Sequence, residues 1–384
     1  MKKLKKRIIF LILLVIMMSF LFGCGREIVI RHKKTVGNIK IGTVNGEWQI
    51  IGLKDYNVDD IIIPDDIGYS KISKYAFSSD KIPSGKKYRN ISLGTSVKEY
   101  SYLPQCTNFY YSDTLENYLK NDHNNSLLYM GYNIYFIDQD GEELFDNKKY
   151  TMLSEYFIIP SGIKRIPDYS FYHLQKKFKE IVFNDEIEEI GKNAFEKSIG
   201  KDGKITFGKD LKIIDEWAFW RCEFETLEFP TNLIEIKERA FEDCVNLTSV
   251  TFNNNLEVIG TWAFSGCSRL KIEILPEGIK ECIGGFSNRN SDYLVIPKSI
   301  KKMDVYLVMG KDETLEKKYV AYYKGTEEEF SRITLYKREK PKIVNFVEVD
   351  LVDKSNVCFY SETMPSSNPE KYWHYENGEI KKWQ

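Results

Sequence analysis

From about residue 155 the chain alternates between two apolar patterns. The first is short: Phe178, Ile181 and Phe183 in "FKEIVF", Phe224, Leu227 and Phe229 in "FETLEF", Leu247, Val250 and Phe252 in "LTSVTF". Successive side chains of a strand point to opposite faces, so the last two of each set share an inward face, and the first enters as the chain turns in. The second pattern is a longer return. Ile187, Ile190 and Phe195 point inward in "IEEIGKNAF", as do Leu256, Ile259 and Phe264 in "LEVIGTWAF". Asn, Gly, Pro and Asp mark the corners, as in "NDE", "GKD", "PTN" and "NNN".

Aligned on the return phenylalanine, the copies fall at Phe171, Phe195, Phe219, Phe241, Phe264 and Phe286, with successive differences of 24, 24, 22, 23 and 22. Phe77 in "ISKYAF" begins an earlier, more diverged copy, and Leu103 takes the same slot 26 residues later. Such a period lies within the roughly 20–29 residues of a leucine-rich repeat. No single coil buries its own apolar face, but coils stacked about 4.8 Å apart do, and roughly three suffice. These residues closely resemble the BspA-type leucine-rich repeat of bacterial surface proteins. The matching features are "FIIPSGIKRI" and "YLVIPKSIKKM", the "I-x-x-x-AF-x-x-C" return and the period, over about residues 56–110 and 155–310. The resemblance implies a leucine-rich repeat β-solenoid, a strand-dominated right-handed stack of α+β type. The copy from Leu270 to Phe286 departs from it: Ile272 and Ile274 alternate, but Gly285 replaces the alanine, so a distorted coil is expected.

The flanks break the period. In 111–150, Asp113 and Glu116 predict a capped helix, and "YNIYFIDQDGEELF" predicts a hairpin turning at Asp140-Gly141. This reads as a helix-plus-hairpin insertion carried on the solenoid, as also occurs in the family. "IKIGTVNGEWQIIGL" predicts a hairpin at Asn45-Gly46 that caps the N-terminal edge of the stack. After about residue 312, Thr326 and Glu329 form another capping box, Val357 to Tyr360 read as a strand, and "KYWHY" turns at Asn377-Gly378 into "EIKKW". This end is similar to the C-terminal segment of BspA-type chains from Gram-positive bacteria. It reads as a small C-terminal α/β cap; the alternative is a binding module using Trp373, Tyr375 and Trp383.

The chain start changes the setting. "MKKLKKR" is basic, "IIFLILLVIMMSFLF" is apolar, and "LFGCG" follows, the layout of a secretory signal peptide. "LFGC" resembles the lipobox of bacterial lipoproteins, which implies cleavage after Gly23 and lipidation of Cys24. A plain signal peptide or an uncleaved anchor is the alternative. The expected division is 1–23 signal peptide, 24–38 membrane-proximal linker, 39–110 cap hairpin and first repeats, 111–150 insertion, 151–312 repeats, and 313–384 C-terminal cap. The full chain has 55 basic and 56 acidic residues; without the five basic residues of 1–23 the balance is 50 − 56, or −6. A mildly acidic exported chain is not suited to neutralising nucleic-acid phosphates, so no nucleic-acid partner is expected.

Little in the sequence suggests chemistry. The four histidines, His32, His123, His173 and His374, have no partner at a metal-binding spacing, and there is no phosphate loop or nucleophile elbow. Cys222, Cys244 and Cys267 each follow their phenylalanine by three, and Cys106 follows Leu103 by three. Their spacing is the repeat period, and C-x-x-C is absent, which disfavours zinc. They read as small buried hydrophobes at a tight corner, with a disulfide between one adjacent pair as the alternative. Cys282 and Cys358 also read as buried.

The outward residues of the strand layer then form one long polar face: Glu180, Val182, Lys204, Thr206, Thr226, Glu228, Ser249 and Thr251. A repeating, tunable surface suits protein recognition. The resemblance to BspA-type proteins implies adhesion to extracellular or surface proteins, with no cofactor and no catalytic set, by a monomer anchored through its lipid to the outer face of the membrane. A solute- or cell-wall-binding lipoprotein and a surface hydrolase are the alternatives.

Overall fold

The structure, a computed structural model, describes residues 30–64, 71–73, 76–94, 97, 99–100, 103–111, 113–120, 131–143, 149–174, 176–285, 291–304, 320–338, 346–348 and 357–384. The expected leader, its Cys24 and Phe286 lie outside the described residues.

Period-two patterning places Phe157, Ile181 and Leu227 in the core from the strands Tyr156–Ile158, Phe178–Val182 and Thr226–Glu228. Each strand pairs in parallel with that of a neighbouring coil. Tyr156–Ile158 joins Phe178–Val182, which joins Ile199–Thr206, and Thr226–Glu228 joins Ser249–Thr251. The returns form a second column. The two-residue strands Arg165–Ile166, Glu189–Ile190, Ile213–Ile214, Glu235–Ile236, Val258–Ile259 and Glu281–Cys282 lie parallel in one sheet. That sheet continues through Lys302–Asp304 and Thr334–Arg338 to an antiparallel Phe346–Glu348. The core lies between the two columns.

Two aromatic ladders run along this core. The return phenylalanines stack nearly face to face: Phe171–Phe195 at 5.0 Å, Phe195–Phe219 at 5.3 Å, Phe219–Phe241 at 5.2 Å and Phe241–Phe264 at 5.1 Å. These separations match the spacing of paired strands, so the backbone sets the ring geometry. A looser ladder of Phe183, Phe207, Phe229 and Phe252 runs at 5.5–5.9 Å.

The "AF-x-x-C" corner has a backbone explanation. In most coils the residues two before and two after the phenylalanine hold positive φ: Tyr169 and His173, Asn193 and Lys197, Trp217 and Arg221, Arg239 and Asp243. That left-handed conformation costs a non-glycine residue roughly 1–2 kcal/mol. It aims backbone N–H groups at the next coil, which offsets the cost. Phe195 N donates to Ala218 O at 2.7 Å, Trp217 N to Glu238 O at 3.2 Å and Arg221 N to Glu242 O at 2.9 Å. Ala194, Ala218, Ala240 and Ala263 are fully buried in this close approach. The cysteines complete it. Cys222, Cys244 and Cys267 point their thiols at the carbonyls of Phe195, Phe219 and Phe241, at 3.1, 3.3 and 3.2 Å. Ser198 holds the same slot one coil earlier, its hydroxyl donating to Phe171 O. The slot calls for a small donor, which either residue supplies.

The ends differ from expectation in part. The hairpin at Asn45-Gly46 is present, with φ of 54° and 89° at the two turn residues as a two-residue turn requires. Residues 30–36, expected within a linker, form a third antiparallel strand on Ile39–Val44. The segment 111–150 is not an appendage. Gly131–Glu143 pairs in parallel with Cys106–Tyr111, in a sheet that also holds Asp60–Ile63 and Tyr88–Leu93. Ile134 and Phe136 fall in register with Phe109 and Tyr111 and fill the same inward slots, so the segment supplies a coil of its own. A helix, Leu115–Lys120, links the two strands and disguises the period. It buries Tyr118 and Leu119, and the Tyr118 hydroxyl donates to Ser170 O at 2.8 Å. Its cap is Thr114, which accepts from Asn117 N at 3.1 Å, one residue later than expected. The strand continues through Asp140-Gly141, and its antiparallel partner is Lys149–Met152.

At the other end Tyr293–Ile296, Val320–Tyr323, Val357–Tyr360 and Tyr372–Glu376 run in parallel, closed by antiparallel Glu379–Lys382 across the Asn377-Gly378 turn. The tail therefore prolongs the strand column. The capping box at Thr326 and Glu329 is present. The coil after Leu270 is distorted, as expected: an isolated bridge joins Ile274 to Val295, Ile274 faces solvent, and Leu275 turns inward.

The stacked phenylalanines predict where stability is concentrated. Phe219→Ala, which removes a fully buried ring touching both neighbours, should cost about 3–5 kcal/mol in urea unfolding followed by tryptophan fluorescence. Phe252→Ala, at the partly buried end of the looser ladder, should cost clearly less.

Candidate binding surfaces

The strand face carries the predicted residues in aligned rows. Glu180 pairs with Lys204 and Val182 with Thr206; Thr226 pairs with Ser249 and Glu228 with Thr251. Lys204, Thr206, Thr226, Glu228, Ser249 and Thr251 are exposed, and Glu180 and Val182 half-buried. They fall in two sheets, one of three strands and one of two. The same rows extend to two residues that the sequence reading did not single out. Tyr156 lies beside Glu180 and Ile158 beside Val182. They are 61% and 71% exposed, on the edge strand of their sheet. The cause is local: Phe157 between them is drawn inward onto Phe171 and Phe178, each at 5.3 Å, and alternation turns its neighbours out. The signal was available in "EYFIIP", where apolar residues occupy both faces of one strand.

Charges are used differently on the two sides. Along the return column they meet across coils: Arg165 Nε–Glu189 at 3.0 Å, Lys212–Glu188 at 2.6 Å, Lys237–Asp215 at 3.1 Å, Lys280–Glu257 at 2.5 Å and Lys302–Glu281 at 2.6 Å. Among the described ion pairs none uses Glu180, Lys204 or Glu228 of the strand face. The corners carry a further row. Lys192 lies over the Trp217 ring at 4.8 Å, and Arg239 lies over both Trp217 at 5.5 Å and Trp262 at 4.4 Å. These residues occupy or adjoin the left-handed corner positions, so the stack brings them together from four coils. Lys192 and Arg239 are also held by carboxylates, Glu216 at 2.5 Å and Glu242 at 3.5 Å. Each cation of the row thus has a carboxylate beside it, although the buried Arg239 Nε makes no hydrogen bond.

The tail aromatics do not form a joint surface. Trp373 is fully buried and donates its indole N–H to Tyr323 O at 3.0 Å, which makes it a core residue rather than a ligand contact. Trp383 is partly buried, donates to Ser361 O at 3.2 Å and stacks on His374 at 3.8 Å. Tyr375 alone of the three is exposed, edge-on to Trp373 at 5.1 Å.

Stacking also joins groups that are remote in sequence. His173 Nε2 lies 2.5 Å from the carboxylate of buried Glu196, one coil on. Burial pushes the imidazole pKa down, and Glu196 acts against that by favouring the charged form. Ser198, close by in sequence, commits its hydroxyl to Phe171 O rather than to this pair. Among the described residues no three His, Cys, Asp or Glu side chains group as a metal site would need. A small hollow bounded by Asn133, Met152, Lys176 and Phe178 has about 10 Å³ of room, on the scale of one water.

The six described cysteines are free and buried. Burial pushes the thiols of Cys106 and Cys222 up to about 12, and raises that of Cys244 well above its ordinary value, the neighbouring Cys267 adding to the effect. All six should therefore resist a soluble disulfide reagent at pH 8 and all should react in denaturant; a count two short would reveal a disulfide. An unfolded thiol releases its proton near 9, whereas the folded Cys222 holds it to about 12. The stability these thiols leave intact below pH 9 should thus decline as pH rises from there toward 12.

The description that matches this chain is the BspA-type leucine-rich repeat region, in six copies over residues 141–202 and 200–312. Residues 56–110, where the resemblance was also drawn, fall outside that match, although their strands stack in the same way. No curated protein matches. Similar solved structures include a leucine-rich cell surface protein from Faecalibacterium prausnitzii A2-165, at 15% identity over 79% of this chain and 97% of that one, with a TM-score of 0.35. A leucine-rich repeat protein from Bacteroides ovatus is 15% identical over 86% of this chain and 71% of its own, with a TM-score of 0.35. One from Eubacterium ventriosum is 12% identical over 75% and 92%, with a TM-score of 0.36. Residues 141–312, a little under half of the chain, thus carry the BspA-type leucine-rich repeat.

Proposed function

We propose that this chain is an exported, lipid-anchored surface protein that recognises another protein through its strand face. The observation that carries this reading is the contrast between the two columns. Most return-column charges meet in pairs between coils, and on the strand side Lys179 is held by Glu155, while Glu180, Lys204 and Glu228 enter none of the described ion pairs and are left for an outside partner. Beside them Tyr156 and Ile158 offer apolar area at the end of the same rows. An exposed aromatic next to unpaired charges is the composition of a protein-binding hot spot and its polar surround. The family adds support, because a solenoid of this kind presents a long, variable face with no need of a catalytic group. The lipid anchor rests on the sequence around Cys24.

The reading is tested by presenting the chain from Gly25 onward to a panel of purified extracellular-matrix and surface proteins. A partner should be found, and Tyr156→Ala with Ile158→Ser should weaken it at least about 10-fold. The melting temperature should hardly change, since both side chains lie in solvent. Binding indifferent to that pair, or no partner in the panel, would count against the strand face. Separately, Cys24→Ala should move the protein from the membrane fraction into the medium, and retention in the membrane would overturn the anchor.

A further inference from the structure

The first described strand is unlike the rest of the chain in charge. Residues 25–40 hold Arg26, Arg31, Lys33, Lys34 and Lys40 against one acid, Glu27, a balance of +4. Residues 41–384 hold 45 basic and 55 acidic residues, a balance of −10. Arg26 lies outside the described residues; Arg31, Lys33 and Lys34 fall on Ile30–Val36, the outermost strand of its five-stranded sheet, and Lys40 on its neighbour Ile39–Val44. Lys33 and Lys40 are exposed, and Thr35, which pairs with Lys40, is exposed as well.

Position sharpens the point. Five residues separate Cys24 from Ile30, and an extended chain covers at most about 3.6 Å per residue step, so the strand starts within roughly 22 Å of the lipidated position. We infer that this cationic edge docks on anionic phospholipid headgroups of the membrane that holds the anchor, and so fixes which end of the solenoid faces the bilayer. The inference rests on the lipid-anchor reading for its geometry, but the surface itself does not depend on lipidation. The attraction acts within a Debye length of about 8 Å, which a short tether permits and a long one would not exploit. The acidic remainder of the chain is repelled by the same surface, which reinforces the orientation.

A charged edge strand has another use, keeping sheets of different molecules from pairing. The two roles separate by sign. Edge protection works with either charge, whereas binding to an anionic surface needs a positive one. The test therefore uses charge reversal, Lys33→Glu with Lys34→Glu, in the unlipidated chain from Gly25, which keeps every described residue. Co-sedimentation is measured with vesicles of phosphatidylcholine alone and of phosphatidylcholine mixed with phosphatidylglycerol. The unaltered chain should bind only the anionic vesicles and lose binding at high salt. The reversed chain should remain monomeric and bind at least about 10-fold more weakly. Equal binding to both vesicles, no binding to either, or binding insensitive to reversal would overturn the inference, whatever Cys24→Ala shows about the anchor.

Discussion

The structure depends on one constraint: coils must stack at the spacing of paired strands, about 4.8 Å, with every inward slot aligned. No coil here holds enough apolar surface to fold alone. Phe195 is buried because Phe171 and Phe219 lie on its two faces, and each of those depends on the next ring in turn. The same spacing lets Ala194 approach the coil before it and lets the Phe195 carbonyl meet the Cys222 thiol. Left-handed corner residues follow from it too. Without them the backbone N–H groups of Asn193 and Lys197 would not reach Glu216 and Trp220 of the next coil. The strain at each corner is tolerated because the stack repeats the compensating hydrogen bond.

Much of this was legible because a repeat reports the same physics several times. The alternation in "FKEIVF" and the phenylalanine period located the columns, and the cysteines recurred for the reason that the coil recurs. What was not legible lay where a coil is built from different parts. Between Tyr111 and Gly131 a helix replaces the usual return, so the period fails although the strand register, Phe109 beside Ile134, is kept. Ser198 went unnoticed in the cysteine slot because its side chain shares only the donor with a thiol. Trp373 suggested a contact residue, since sequence shows an aromatic cluster but not which ring faces the core.

The candidate site was legible as a surface but not as a set of residues. Outward positions follow from alternation, which gave the rows from Glu180 to Thr251. Their relative importance depends on what lies at the ends of the rows, and that required the pairing of Tyr156 with Glu180 and of Ile158 with Val182. The His173–Glu196 contact likewise exists only because two coils meet.

Charge placement ties the two columns to different tasks. In the slot before each return strand Lys164, Glu188 and Lys212 alternate in sign, Ile234 interrupts, and Glu257 and Lys280 again differ in sign. Exposed pairs of this kind contribute little to stability. Register is set first by the apolar slots, because a coil displaced by one residue would turn Ile190 and Ile214 out of the core; the facing charges only add to it. On the strand side the polar rows alternate in sign only at Glu180 and Lys204, and Thr206, Thr226, Ser249 and Thr251 fill most of the remainder. Register there is already imposed by the column behind it. A surface relieved of that duty can vary its side chains without loss of the fold, which is the physical condition for evolving a binding face on a solenoid.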